Sequence, residues 1–239
     1  MSQGQLFVIS APSGAGKTSL VSETIARIGD LAVSVSHTTR SPRPGDVDAR
    51  DYHFVQQSEF DRLIASHALF EHAKVFGNFY GTSKQAVEAQ LATGVDVILE
   101  IDWQGAAQVR NIAPEAVSIF ILPPTRQALR ERLIGRQQDN AAIIDVRMAE
   151  ADETIAQAPH FDYWVINDDF EIALSQLQSI ILSHRQRCAV AAIAVGCLMT
   201  PLLFFFFLPI FGSVDLERSC ACGRDAMRIR PDRLGMWLD

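Results

Sequence analysis

No cysteine occurs before Cys188 in this 239-residue chain. That excludes a disulfide-stapled body and, with no signal-peptide pattern at the N-terminus, sets the expectation of a protein of the reducing cytosol. Basic charge is not in excess either: 21 Lys and Arg against 28 Asp and Glu leave a net charge of −7. A general nucleic-acid coat is therefore not expected. The acidic excess falls wholly in residues 1–187, because 188–239 hold five acids and five arginines. There is no internal repeat. Charge is missing altogether from Cys188 to Val214, where Phe204–Phe207 form an unbroken aromatic run. About 20 apolar residues suffice to cross a bilayer, so membrane contact is one reading of 188–214. Pro201 and Pro209 interrupt a helix there, and the arginines downstream oppose a single span with a cytosolic body. The other reading, the favoured one, is that 188–239 is an atypical or foreign extension that anchors nothing. Cys220 and Cys222 lack the companion pair a metal site needs.

What is present is an alternation. Apolar runs of strand length occur at Leu6–Ser10, Ala32–Ser36, Val95–Ile101, Val117–Leu122 and Tyr163–Ile166. Between and after them, 18–28, 104–111, 125–134, 141–156 and 170–184 carry apolar residues at three- and four-residue spacing. Strands alternating with helices predict an α/β layer fold around a mostly parallel sheet. Residues 38–90 break the rhythm with a basic turn, Arg40-Ser41-Pro42-Arg43-Pro44-Gly45, and a short candidate strand, Asp51–Val55. An insert of this kind is a natural seat for a second substrate.

The first apolar run leads into Ala11-Pro12-Ser13-Gly14-Ala15-Gly16-Lys17-Thr18, and a helical pattern follows at once. A strand, a glycine-rich turn and a helix N-terminus together make a phosphate cradle. Lys17 would reach the β- and γ-phosphates, and the Thr18 hydroxyl would hold Mg²⁺. Ala11 stands where glycine is usual, which is acceptable if its φ is negative. Arg40 and Arg43 sit three apart around a proline, a spacing suited to bidentate capture of a monophosphate. Tyr52 and Tyr80 can add hydrogen bonds to it. Glu71 is an acid among apolar residues, and taken alone it reads first as a surface acid. In a pocket, its carboxylate would accept from the N1–H and 2-amino groups of guanine while the Ser36 or Thr82 hydroxyl donates to O6. Glu100 and Asp102 are expected on one face of the strand 95–101, at its carboxyl end, where open α/β sheets place ligands. Arg132 and Arg136 lie four apart on one helix face, with Arg147 on the next helix, placed to neutralise a moving phosphoryl group. For each of these arginines, a salt-bridged surface is the alternative.

Together these strings resemble the guanylate kinase family. The resemblance rests on Ser13–Thr18, Val35–Gly45 with its Thr-Thr-Arg-Ser-Pro-Arg string, Phe76–Ser83, Glu100–Gly105, Ile119–Pro124 and Val165–Asp169, and it runs from about residue 4 to 186. It implies a P-loop kinase of three-layer α/β/α form within 1–187. A parallel-sheet core (1–37 and 91–187) would carry an inserted GMP-binding domain (38–90) and a mobile lid (about 135–146). It places Ser36, Glu71, Thr82 and Asp102 around guanine, and Arg40, Arg43, Tyr52 and Tyr80 around the GMP phosphate. Residues 11–18, Arg132, Arg136 and Arg147 fall around ATP and the transferred group, with Asn167 near adenine. Mg²⁺ would be held by Thr18 and, through bound water, by Glu100, which stands where aspartate is frequent. Gln137 and Phe79 also depart from the usual pattern. The activity implied is phosphoryl transfer from ATP to GMP or dGMP. Its rivals are a protein-interaction module that has lost catalysis and a kinase for another monophosphate.

Overall fold

The structure, a computed structural model, describes residues 3–75, 77–135 and 140–186. Arg136, Gln137 and the 188–239 extension lie outside the described residues, and so do the readings made of them. Among those described, the chain runs β1 (Leu6–Ser10), α1 (Lys17–Arg27), β2 (Leu31–Val33), β3 (His37–Thr38), β4 (His53–Phe54) and α2 (Gln57–Ala65). There follow β5 (Leu69–Val75), β6 (Asn78–Ser83), α3 (Lys84–Ala92), β7 (Asp96–Glu100) and α4 (Trp103–Ile112). The last elements are β8 (Val117–Leu122), α5 (Arg126–Gly135), α6 (Ala141–Ile155), β9 (Tyr163–Ile166) and α7 (Phe170–Arg185).

β1 is apolar and buried along its whole length, with no alternation, because both faces of its sheet are covered. It is the middle strand of a five-stranded parallel sheet ordered β2-β7-β1-β8-β9. Phe7, Ile9, Ile98, Ile119, Ile121 and Val165 share one face and pack on Leu20 and Val21 of α1 and Leu174, Leu177 and Ile181 of α7. The alternate residues Val8, Leu99 and Phe120 are equally buried on the other face, where α3 packs on β7 and α4 on β1. The fold is thus three layers around a parallel core. β2 stops at Val33 rather than Ser36: Ser34 N–H still bonds Ile98 O at 3.0 Å, and the chain then leaves for a second sheet.

That second sheet has the order β4-β3-β6-β5 and is antiparallel except where β3 meets β4. A register shift between Leu69 and Glu71 makes a bulge in β5 and sets Glu71 directly across from Thr82. α2 closes one side of this sheet with the fully buried Phe60.

A polar clasp ties together the end of the sheet opposite the phosphate loop. Asp96 Oδ1 accepts from Gln5 N–H at 2.7 Å, and Asp96 Oδ2 from Arg185 Nε at 2.7 Å. Arg185 Nη2 also donates to the carbonyls of Gly29 (2.9 Å) and Asp30 (3.0 Å). The last turn of α7 thereby holds the starts of β1 and β7 and the α1–β2 turn. Arg185→Ala would leave the Asp96 carboxylate buried without its countercharge. Urea denaturation should show a loss of about 3 kcal/mol, and a change under about 0.5 kcal/mol would mean the clasp is ornamental.

Candidate functional site

The phosphate loop follows the carboxyl end of β1. Gly14 and Gly16 take φ of +94° and +92°, the left-handed region that favours glycine. An added Cβ would press on Leu129 and Leu133 at Gly14 and collide with Asn167 Nδ2 at Gly16. Ala11 is not among the residues of positive φ, so its methyl group is unstrained. Gly16 caps α1 without any side-chain acceptor, which leaves the first-turn N–H groups for an anion. Lys17 Nζ lies 3.4 Å from the Ile101 carbonyl and 3.7 Å from Glu100 Oε1. The Thr18 hydroxyl donates to the same Glu100 oxygen. A hydroxyl and a carboxylate beside a phosphate cradle are the hard oxygen donors that Mg²⁺ takes, so these residues fit that ion.

Asp102 corrects one expectation. The strand ends at Glu100, so the two acids do not alternate on one strand face. Asp102 is instead the N-cap of α4, its Oδ1 accepting from Gly105 N–H at 2.9 Å. Both acids nevertheless line the same cavity.

Across from the loop, Arg40 is held before any ligand arrives. Its Nη2 pairs with Asp46 Oδ2 at 2.9 Å, and its guanidinium lies over the rings of Tyr52 (5.3 Å) and Phe54 (5.6 Å). Tyr80 packs on Tyr52 with centroids 5.9 Å apart. Asp46 also accepts from Arg43 N–H at 2.7 Å, and that bond, with Arg40 behind it, holds its carboxyl below the ordinary value. Burial, reinforced by the charge of Glu100, pushes the Tyr52 phenol up. Sequence reasoning missed Asp46; its place after Pro44-Gly45 in a basic turn was the available signal.

The third corner is a buried polar relay. Thr82 Oγ1 donates to Glu71 Oε1 at 2.7 Å, and Ser36 Oγ stands 3.2 Å from Thr82 Oγ1. Glu71 is 3 % exposed, which removes the surface-acid alternative. Burial drives its carboxyl up to about 7; the Thr82 hydrogen bond opposes the shift and the neighbouring Asp102 charge adds to it. Burial raises Asp102 as well.

On the donor side, Arg147 Nη1 donates to Ser13 Oγ at 3.0 Å. Arg132 Nη2 donates to the Asn167 carbonyl at 2.8 Å, and Asn167 Nδ2 donates to the Ala15 carbonyl at 2.7 Å. Asn167 therefore stands behind the loop as a brace and does not line the cavity, nor do Arg132 and Thr82. The loop, Ser36, Arg40, Arg43, Tyr52, Glu71, Tyr80, Glu100, Asp102 and Arg147 all border one cavity of about 760 Å³. Ile143 and Val146 of α6, exposed apolar side chains, also border it and were not singled out from the sequence.

A phosphate loop at the end of a central parallel strand, facing a second corner that bears Arg40 and Arg43 across one cavity, is the arrangement of a P-loop nucleotide kinase. The family described as guanylate kinase matches residues 3–184. A guanylate kinase of Methylococcus capsulatus is 55 % identical over 203 residues, 85 % of this chain and 100 % of its own. One of Saccharophagus degradans is 56 % identical over 182 residues, 76 % of this chain and 89 % of its own. The crystal structure of guanylate kinase from Anaplasma phagocytophilum superposes with a TM-score of 0.66 at 32 % identity, over 78 % of this chain and 89 % of that one. The chain belongs to the guanylate kinase family.

Proposed function

We propose that this protein transfers the γ-phosphoryl group of ATP to GMP or dGMP, giving ADP and the guanine nucleoside diphosphate. The observation that carries this reading is the buried Ser36–Thr82–Glu71 relay, whose Ser36 and Glu71 border the same cavity as the phosphate loop. The Glu71 carboxylate accepts from N1–H and the 2-amino group, and the Ser36 hydroxyl, which borders the cavity, donates to O6. Adenine sets its N1 lone pair against the carboxylate and has no 2-amino group, so both bonds to Glu71 are lost. Arg40, Arg43, Tyr52 and Tyr80 hold the acceptor phosphate. Its attacking oxygen is already anionic at neutral pH, so no general base is needed. That oxygen forms the new bond to γ-phosphorus in line as the bond to the β–γ bridging oxygen breaks, and ADP leaves with the electron pair. Catalysis is then positioning and charge neutralisation, supplied by Lys17, the α1 N-terminus and Arg147, which border the cavity, with Arg132 bracing the loop from behind through the Asn167 carbonyl. Thr18 and Glu100 would hold Mg²⁺, whose charge, when bound, offsets that of the β- and γ-phosphates. Closure over the two nucleotides excludes water and so limits ATP hydrolysis.

An assay coupled to ADP release, run with GMP, dGMP, AMP and dTMP, tests this. Turnover with the two guanine nucleotides and near-background rates with the others are expected. Turnover with AMP or dTMP would move the reading to another monophosphate kinase. No turnover with any acceptor, alongside intact folding, would favour a binding module.

A further inference from the structure

We propose that Gly105 is a specificity-determining position: the space left by its missing side chain seats the Glu71 carboxylate for guanine recognition. The proposal rests on the GMP reading above and adds a residue on α4 that touches neither nucleotide in that scheme.

Gly105 is the third residue of α4 and is buried. It is not among the residues of positive φ, so its backbone does not call for glycine. Glycine in an ordinary helical position is less favourable than alanine. Something other than backbone geometry must favour it here. A Cβ built at this position collides with Glu71 Oε2 and lies 3.1 Å from Glu71 Cδ and 3.3 Å from Ile101 Cδ1. The carboxylate therefore rests directly on the bare face of the helix.

Two restraints decide what would yield to an added methyl group. Gln108, one turn along α4, clamps the backbone of β5: its Oε1 accepts from His72 N–H at 3.1 Å and its Nε2 donates to the His72 carbonyl at 2.6 Å. The helix cannot back away from the strand without breaking that pair. On its far side, Glu71 is pinned by Thr82 through Oε1 at 2.7 Å. The terminal carboxylate is the softest element, so it swings. It then either enters the space meant for the base or gives up Thr82, and in both cases it no longer faces two adjacent donors in the right plane. Hydrogen bonds weaken steeply with such misalignment.

The test is Gly105→Ala in the full chain, with KM and kcat measured separately for GMP and ATP and thermal unfolding followed alongside. The expected result is a KM for GMP raised about 10- to 100-fold, the loss of one or two charge-assisted hydrogen bonds. The KM for ATP, kcat at saturating GMP and the unfolding temperature should hold or, for the last, rise. Glu71→Asp shortens the acid by one methylene and restores room for the methyl group. In the double variant, KM for GMP should therefore rise at least about tenfold less than the product of the two single effects. An unchanged KM for GMP, a parallel loss of unfolding temperature and both KM values, or strictly multiplicative behaviour in the double variant would each overturn the proposal. Failure of the GMP reading itself shows differently, as wild-type protein that releases no ADP in response to GMP.

Discussion

Lys17→Ala is expected to lower kcat for ADP release by about 10³-fold while leaving the protein folded and able to bind GMP. Lys17 is the first residue of α1, and its ammonium reaches the end of β7, where it stands near both the Ile101 carbonyl and Glu100. Bound ATP would add the β- and γ-phosphates to a corner that already holds one carboxylate. Without the ammonium, Glu100 faces those phosphates uncompensated, and the repulsion grows as charge moves onto the leaving oxygen. Lys17→Arg should recover little of the rate, because a planar fork does not replace a compact ammonium in a loop shaped around it. GMP affinity, measured by titration in the absence of ATP, should change less than about threefold, since the base and phosphate corners are built on other elements. A kcat within about tenfold of wild type would remove Lys17 from the chemistry.

The parts of the molecule that were legible beforehand share one property: their signal is local. β1, β8 and β9 coincide with their apolar runs, and for β1 and β8 the reason is burial on both faces, which needs no partner to reveal it. The phosphate loop was readable because glycine, lysine and threonine must stand at fixed offsets for backbone N–H groups to meet an anion. The second sheet was nearly invisible. β5 holds Glu71, His72 and Lys74 among its apolar residues, and its alternation is broken by a bulge. Its strand character comes from pairing with β6, which is a tertiary fact. The same holds for Asp102. Sequence alternation put it on a strand, but the competing preference of aspartate for a helix N-cap prevailed once α4 was present. Asn167 shows the limit from another side. Its position follows from the motif, but its bond to the Ala15 carbonyl depends on how β9 sits behind the loop. Glu71 is the clearest instance: the residue type was visible, and the burial that gives it its chemistry was not.

That burial leads to the second large effect. Glu71→Ala should cost most of the discrimination between GMP and AMP, about 10⁴-fold in kcat/KM, because a site built on hydrogen bonds rejects a mismatched edge by leaving buried polar groups unpaired. The KM for ATP should stay within about threefold, and equal losses for both nucleotides would sink the guanine assignment. The same residue predicts a pH dependence whose sign follows from its raised value of about 7 in the empty site. Only the ionised carboxylate accepts from both guanine donors, so GMP affinity should rise with pH, gaining about tenfold per unit below pH 7 and levelling above about pH 8. For stability the sign is reversed. The folded protein holds the Glu71 proton more tightly than the unfolded chain, so the cost of burying the charge appears as pH rises from the ordinary carboxylate range through 7. Glu71→Gln removes that cost, and its fold should be more stable than wild type by about 1–3 kcal/mol near pH 8, with the difference fading towards pH 4.5. The glutamine amide presents one acceptor and one donor where two acceptors are required. This variant should therefore be the more stable protein and bind GMP weakly, with the steep rise of affinity between about pH 6 and 8 gone and only the shallow dependence of the GMP phosphate's own ionisation left. A glutamine variant that kept the wild-type slope of GMP affinity against pH would show that Glu71 is not the titrating group.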